Sequence, residues 1–199
     1  MRWPRYRNKH KRMEGRELRH IQDTLETAVT QRGENLAELS EATPVLLVFL
    51  RHAGCTFCRE TLGDIARSRT AIEAAGARIV LVHMGDSEAV GKLLLKYGLR
   101  DIDRICDRDR KLYRALGLKR GTLWQMFGPK VVWRAVQACI LSRHGIGKIS
   151  ADSFQMPGLF VLENAKVVQS IRHRHAGERP DYAAVCVAAR RARGEQRTW

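Results

Sequence analysis

A chain of 199 residues with 44% hydrophobic and 29% charged side chains sits near the globular average. That composition excludes wholesale disorder, a collagen-like repeat and a pure coiled coil, and the length suits one domain with appendages. The net charge of +15 is concentrated at the ends, with +6 over residues 1–20 and +3 over residues 188–199.

In chain order, Arg16 to Gln31 places Leu18, Ile21, Leu25, Ala28 and Val29 at helical spacing and predicts an amphipathic helix ending near Gly33. Pro44 to Leu50 is a continuous run of apolar residues, the pattern of a strand buried on both faces, and it is expected at the centre of a sheet. Thr56 to Ala75 predicts a long helix stopped by Gly76. A second buried strand over Arg78 to His83 and a helix from Asp86-Ser87 to Tyr97, ended by Gly98, follow. This is a βαβ unit, which implies parallel strands.

Asp107 to Leu116 predicts a further helix closed by Gly117. Residues 119–150 are largely apolar at helical spacing but broken by Gly128-Pro129, and are expected to form a helical insertion. Trp124, Phe127 and Trp133 within it are expected in the core, with a lid over an apolar substrate as the alternative. Residues 158–162 and 166–171 flank a polar turn in a hairpin pattern, and Pro180 to Arg193 predicts a closing helix. The organisation expected is a basic arm over 1–15, a domain over 16–192 and a basic tail over 193–199.

The longest purely apolar run, Val45 to Leu50, is six residues, against the roughly 20 needed to span a bilayer. The basic start, Met1 to Arg12, has no apolar stretch behind it, so a cytoplasmic protein without membrane insertion is expected. The basic ends read as solvated tails, and nucleic acid enters only as a contact of those tails. Five cysteines, an odd number in a chain without an export signal, argue against a disulfide framework.

Two of the five, Cys55 and Cys58, form a C-x-x-C between a predicted buried strand and the start of a predicted helix. A helix N-terminus offers unpaired N–H groups and a partial positive charge that favour thiolate over thiol. Arg51 and Arg59 add cationic charge nearby, so one thiol is expected to ionise below the free value of about 8.5. A second thiol three residues away can then close an intramolecular disulfide. Half a zinc site is the rival reading. It lacks a second C-x-x-C, and only His173 and His175 offer a nearby pair of ligands. Cys106, Cys139 and Cys186 sit among apolar neighbours and are expected to be buried packing residues.

The stretch Val45 to Glu60 resembles the strand, redox turn and helix start of the thioredoxin superfamily, and Arg108 to Gly117 is similar to the segment after the third strand in its peroxiredoxin-like branch with AhpC/TSA relatives. Met156 to Val167 and Arg172 to Asp181 resemble the terminal hairpin and tail of the same branch. The resemblance implies an α/β fold, a thioredoxin-like central mixed sheet flanked by helices. It makes Pro157 a cis-proline facing the redox turn. It also implies a thiol-disulfide redox enzyme: a peroxiredoxin-like peroxidase reducing hydroperoxides through Cys55 and Cys58, with thioredoxin or glutathione as dithiol reductant and no metal or organic cofactor.

Gly54 and Thr56-Phe57 replace thioredoxin's Trp and Pro, and Cys55 stands where typical peroxiredoxins carry Thr. By thioredoxin analogy Cys55, the more exposed thiol, attacks; by peroxiredoxin analogy Cys58 does, and Cys55 is preferred here. Arg172 or Arg174 is expected to polarise the O–O bond, and His52 to donate a proton to the leaving group. Reduction of protein disulfides is the alternative within the enzyme class. A redox-inactive binding module acting through the basic tails is the alternative outside it.

Overall fold

The computed structural model describes residues 15–122, 124, 125, 128, 131, 133 and 154–196. All but Gly15 of the expected arm over 1–15, most of the insertion over 119–150 and much of the tail over 193–199 therefore lie outside the described residues.

Five strands make one sheet in the order β3-β2-β1-β4-β5. β1 (Val45–Phe49), β2 (Arg78–His83) and β3 (Asp103–Cys106) run parallel, whereas β4 (Gly158–Glu163) pairs antiparallel with β1, and β5 (Lys166–Arg172) with β4. All five residues of β1 are buried, as a strand flanked on both edges and covered on both faces requires. Alternation along it divides the core. Leu46 and Val48 face one side, with α3 (Thr56–Ala74), α4 (Ser87–Lys96) and α6 (Tyr182–Gln196). Val45, Leu47 and Phe49 face the other, with α1 (Gly15–Thr27), α2 (Leu36–Ala42) and α5 (Lys111–Ala115).

Local signals account for most element ends. Asp86 caps α4 by accepting a hydrogen bond from the Ala89 N–H at 2.8 Å, and Gly76 and Gly98 follow α3 and α4 with φ of +82° and +68°, a conformation a side chain would resist. Two elements escape the periodicity. α2 is only seven residues long and is nucleated by Asn35, whose Oδ1 accepts from the Ala37 and Glu38 N–H groups. β3 is four residues long and begins with Asp103, buried because Arg78 and Arg32 pair with it. A buried charge inside a short strand leaves no apolar pattern to read.

The closing helix runs Tyr182–Gln196 instead of Pro180 to Arg193, and two expected boundaries move by four residues. α1 ends at Thr27, and α5 starts at Lys111 instead of Asp107. The Asp107 carboxylate accepts from the N–H groups of Lys111, Leu112 and Tyr113, so it caps the helix from a loop where Arg110 holds φ of 57°. The Met156–Pro157 bond is trans, no cis peptide bond occurring among the described residues, which corrects the expected cis-proline. Met156 N–H donates to the Lys119 carbonyl and the Pro157 carbonyl accepts from His173 N–H, so an extended lead-in to β4 meets its partners with the ordinary isomer. Trp124 and Trp133 are 74% and 65% exposed, not core, because Gly128 and Val131 occupy the buried positions of that stretch; Phe127 lies outside the described residues. Cys186 is buried as expected, Cys106 is exposed at the free end of the edge strand β3, and Cys139 lies outside the described residues.

The chain after β1 is anchored from beneath. Leu50 N–H donates to the Val82 carbonyl at 2.8 Å, and the hydroxyl of fully buried Tyr113 donates to the Leu50 carbonyl and lies 3.3 Å from that of Val82. The Tyr113 ring meets Phe49 edge to face with centroids 4.7 Å apart. Tyr113→Phe keeps the ring and strands the Leu50 carbonyl, and is expected to lower stability by about 1–3 kcal/mol in urea denaturation.

Candidate redox site

Arg51 and His52 extend β1 beyond its last pairing, and the chain turns through Ala53 and Gly54 into α3. The Cys55 N–H donates to the His52 carbonyl at 3.1 Å, closing the turn. Cys55 is the N-cap of α3, with φ of −76° and ψ of 121°, and its Sγ accepts from the Cys58 N–H at 3.3 Å. Sulfur thus takes the place that a Ser or Asp oxygen holds at most helix starts. One turn on, the Cys58 Sγ accepts from the Arg51 N–H at 3.2 Å. The Arg51 side chain folds back so that Nη2 donates to the Cys55 Sγ at 2.8 Å.

Arg51, His52, Cys55 and Cys58 are 5%, 4%, 7% and 4% exposed, so the expected difference in exposure between the two thiols is absent. Electrostatics separates them instead. Burial alone would raise the Cys58 thiol. The hydrogen bond from Cys55, the Arg51 guanidinium and the backbone N–H groups of Arg51 and His52 together bring it down to about 5. Cys55 moves the other way: burial, and then the neighbouring Cys58 sulfur, push it well above the ordinary thiol range, against the pull of Arg51. The pair therefore carries one negative charge at neutral pH, centred on Cys58, with a proton on Cys55. Burial would lower Arg51, but the two sulfurs reverse this and keep its charge secure. Burial lowers the His52 imidazole; Cys58 draws it back up and Arg51 presses it down again.

The other expected supporting residues are placed differently. Thr56 is the first residue of α3 and half-buried. Arg59 turns back to donate to the Ala53 carbonyl at 3.0 Å and buttresses the turn. Arg172 lies on the opposite face of the sheet, donating to the Leu116 carbonyl at 3.1 Å and stacked 5.2 Å from the Phe160 ring centre. Arg174 is 81% exposed in its side chain and pairs with Glu178. Neither arginine faces the thiols, which corrects that expectation: in the alternation of β5, Ile171 packs on the side of α3 and Arg172 on the other. The residue at the same end of the sheet as the redox turn is His173, two beyond Ile171, its N–H bonded to the Pro157 carbonyl and its ring within the influence of the Arg51 charge. The period of two could have found it from the sequence, where it drew notice only as a ligand for zinc.

An apolar wall lines the same end of the sheet. Val131, Met156 and Ala176 are buried together, with Phe57, from between the two cysteines, and Phe154 packed against them. Gln125 holds this wall closed, its backbone carbonyl accepting from Ala176 N–H and its side-chain amide donating to the Arg174 carbonyl. Arg179 ties the same loop to α3 through Glu60, at 3.3 Å, and Asp64. Among the described residues no group of three or more His, Cys, Asp or Glu side chains converges as a metal site would require. No helix among them is long and apolar enough to cross a membrane.

Comparison with known proteins agrees with this architecture. The family of AhpC/TSA antioxidant enzymes matches residues 64–177, a stretch that begins just after the two cysteines. Prostamide/prostaglandin F synthase from Salmo salar is 29% identical over 150 residues, 73% of each chain, and that from Sus scrofa is 28% identical over 181 residues, 84% of this chain and 86% of the other. Among solved structures, reduced Prx3 from Vibrio vulnificus in complex with hydrogen peroxide superposes with a TM-score of 0.58 at 17% identity, covering 83% of this chain and 94% of that one. Peroxidoxin BcpB from Mycobacterium tuberculosis gives 0.56 at 18% identity, covering 83% and 90%. A secreted disulfide oxidoreductase of the same organism, homologous to DsbE of E. coli, gives 0.51 at 14%, covering 85% and 98%. These structural likenesses carry the fold.

Because thiolate is the reactive form and its fraction falls as pH drops through the thiol pKa, iodoacetamide should alkylate Cys58 at a rate that is flat above neutrality and half-maximal near pH 5. Arg51→Met removes the nearest cation, so the midpoint should move up toward the free-thiol value of about 8.5, and alkylation at pH 6 should slow by roughly tenfold or more.

Proposed function

The chain belongs to the AhpC/TSA antioxidant enzyme family, whose members are thiol-dependent oxidoreductases, and from that premise we propose that it is a thiol peroxidase acting through Cys58 and Cys55. The observation that carries this reading is the buried Arg51 guanidinium against a thiol pair whose single negative charge rests on Cys58.

In the proposed reaction the Cys58 thiolate attacks the terminal oxygen of a hydroperoxide. An S–O bond forms, the O–O bond breaks, and the departing alkoxide takes the proton of Cys55 to leave as an alcohol. Arg51 offsets the negative charge as it moves from sulfur to oxygen. Cys55, now a thiolate, attacks the sulfenic acid on Cys58; the S–S bond forms and hydroxide leaves. Two electrons have passed from the thiols to the peroxide, and a dithiol donor such as thioredoxin, or glutathione, returns them. This order of attack reverses the preference for Cys55 drawn from the thioredoxin analogy. A proton held on Cys55 is useful there, because the first step needs an acid and the second needs a thiolate.

The apolar cluster of Phe57, Met156, Val131 and Ala176, which Phe57 joins to the redox turn, favours an organic hydroperoxide over hydrogen peroxide, since an alkyl group finds apolar partners there. The relatives are prostamide/prostaglandin F synthases, which favours an organic substrate here as well.

The test is peroxide consumption by the reduced protein with excess dithiol. The wild type should turn over and Cys58→Ser should be inactive. Cys55→Ser should consume about one equivalent and retain a sulfenic acid detectable by a dimedone adduct. The opposite assignment of the cysteines would overturn the order of attack. A protein inert to peroxides whose 55–58 disulfide exchanges with protein disulfides would be a disulfide reductase instead.

A further inference from the structure

We propose that His173 binds the hydroperoxide, accepting a hydrogen bond from its terminal O–H and so aiming that oxygen at the Cys58 sulfur. This rests on the peroxidase reading above and adds to it a substrate-orienting group.

Three observations carry it. His173 is only 9% exposed, yet neither of its ring nitrogens has a hydrogen-bond partner among the described residues. Buried polar groups are almost always paired, and one that is not calls for a ligand or a task. Its position is set by the fold. β1 ends at Phe49, two residues before Arg51, β4 begins just after Pro157 and β5 ends at Arg172, one residue before His173, all at one end of the sheet, with the His173 N–H bonded to the Pro157 carbonyl at 3.3 Å. Its neighbourhood is the third. Met156, the residue before its anchor Pro157, and Ala176, three residues after His173 itself, belong to the apolar cluster that Phe57 packs against from between the two cysteines, and the Arg51 charge acts on its ring.

A neutral imidazole has one donor and one acceptor nitrogen, and a hydroperoxide presents one O–H and several lone pairs. The ring remains neutral at physiological pH: burial lowers it to about 4, His175 and Arg51 push in the same direction, and only Glu178 opposes them. An acceptor nitrogen is therefore available wherever the Cys58 thiolate is. The division of labour is chemical. Arg51, a pure donor, serves the sulfur and the departing oxygen; His173 supplies the acceptor that neither Arg51 nor the protonated Cys55 thiol provides.

The experiment compares wild type, His173→Leu and His173→Gln by two rates measured on the same reduced samples. One is sulfenic acid formation with tert-butyl hydroperoxide, and the other is alkylation of Cys58 by iodoacetamide, which needs the thiolate but no orienting acceptor. His173→Leu should slow the peroxide reaction roughly ten- to a hundredfold while leaving alkylation within about twofold, and His173→Gln, which keeps an acceptor, should recover part of the loss. Equal peroxide rates in wild type and His173→Leu overturn the proposal and leave the peroxidase reading standing. Parallel losses of both rates overturn it as well, because His173 would then act on the thiolate or the fold. A wild type inert to tert-butyl hydroperoxide but alkylated normally overturns both readings together. Should His173→Leu fail to fold, the ring 15N resonances of His173 in the Cys58→Ser protein decide: a shift on adding tert-butyl hydroperoxide supports the proposal, and none overturns it.

Discussion

A single guanidinium, 5% exposed and reaching between two sulfurs, is the constraint around which this end of the molecule is arranged. A cation so deeply buried is tolerable only beside a negative charge, and a buried thiolate is tolerable only beside a cation, so each makes the other permissible. Arg51 serves both roles from one residue because its backbone N–H bonds one sulfur while its side chain bonds the other. The chain can present both groups in this way only where a strand has just left its sheet and has not yet become a helix.

Everything beneath that junction keeps it in place. Tyr113 reaches through the core from the opposite face to hold the Leu50 carbonyl, one residue before Arg51. β1 itself is buried along its whole length, so the turn rises from a strand covered on both faces and paired on both edges. Around the turn the ties are polar: Arg59 to Ala53 within it, and Arg179 to Glu60 and Asp64 across to the loop after β5. The thiols are therefore held on a buried floor, while the cluster at their side joins Phe57, Val131 and Met156 to Ala176 in the loop after β5. A site built that way combines a pre-organised nucleophile with apolar packing at its side.

Much of the fold was legible because its signals are local. The apolar run Pro44 to Leu50, the helix stops at Gly76 and Gly98 and the hairpin over 158–171 each follow from a handful of neighbouring residues, and the structure places them where the pattern does. β3 and α2 were not legible, since a strand opened by a salt-bridged aspartate and a seven-residue helix started by one asparagine owe their existence to partners far along the chain or to a single cap. In the site, Cys55, Cys58 and Arg51 were visible as a motif at a strand-to-helix junction. Arg172 and Arg174 were chosen for their charge, whereas orientation decides: the alternation of β5 turns Arg172 to the far face and brings His173 to the near one.

The sequence by itself determined that two thiols stand at a helix start with a basic residue just before them, because those features need only spacing and residue type, and its resemblance to the thioredoxin superfamily implied the fold that holds them. Tertiary structure alone decided which thiol carries the charge. The two cysteines have the same intrinsic chemistry and share the helix N-terminus. The difference comes first from the hydrogen bond between the two buried sulfurs, which lowers Cys58 and raises Cys55, and then from the backbone N–H groups of Arg51 and His52 that bond Cys58. Such an arrangement is a matter of directions and distances among atoms, and a one-dimensional pattern carries residue types without their directions.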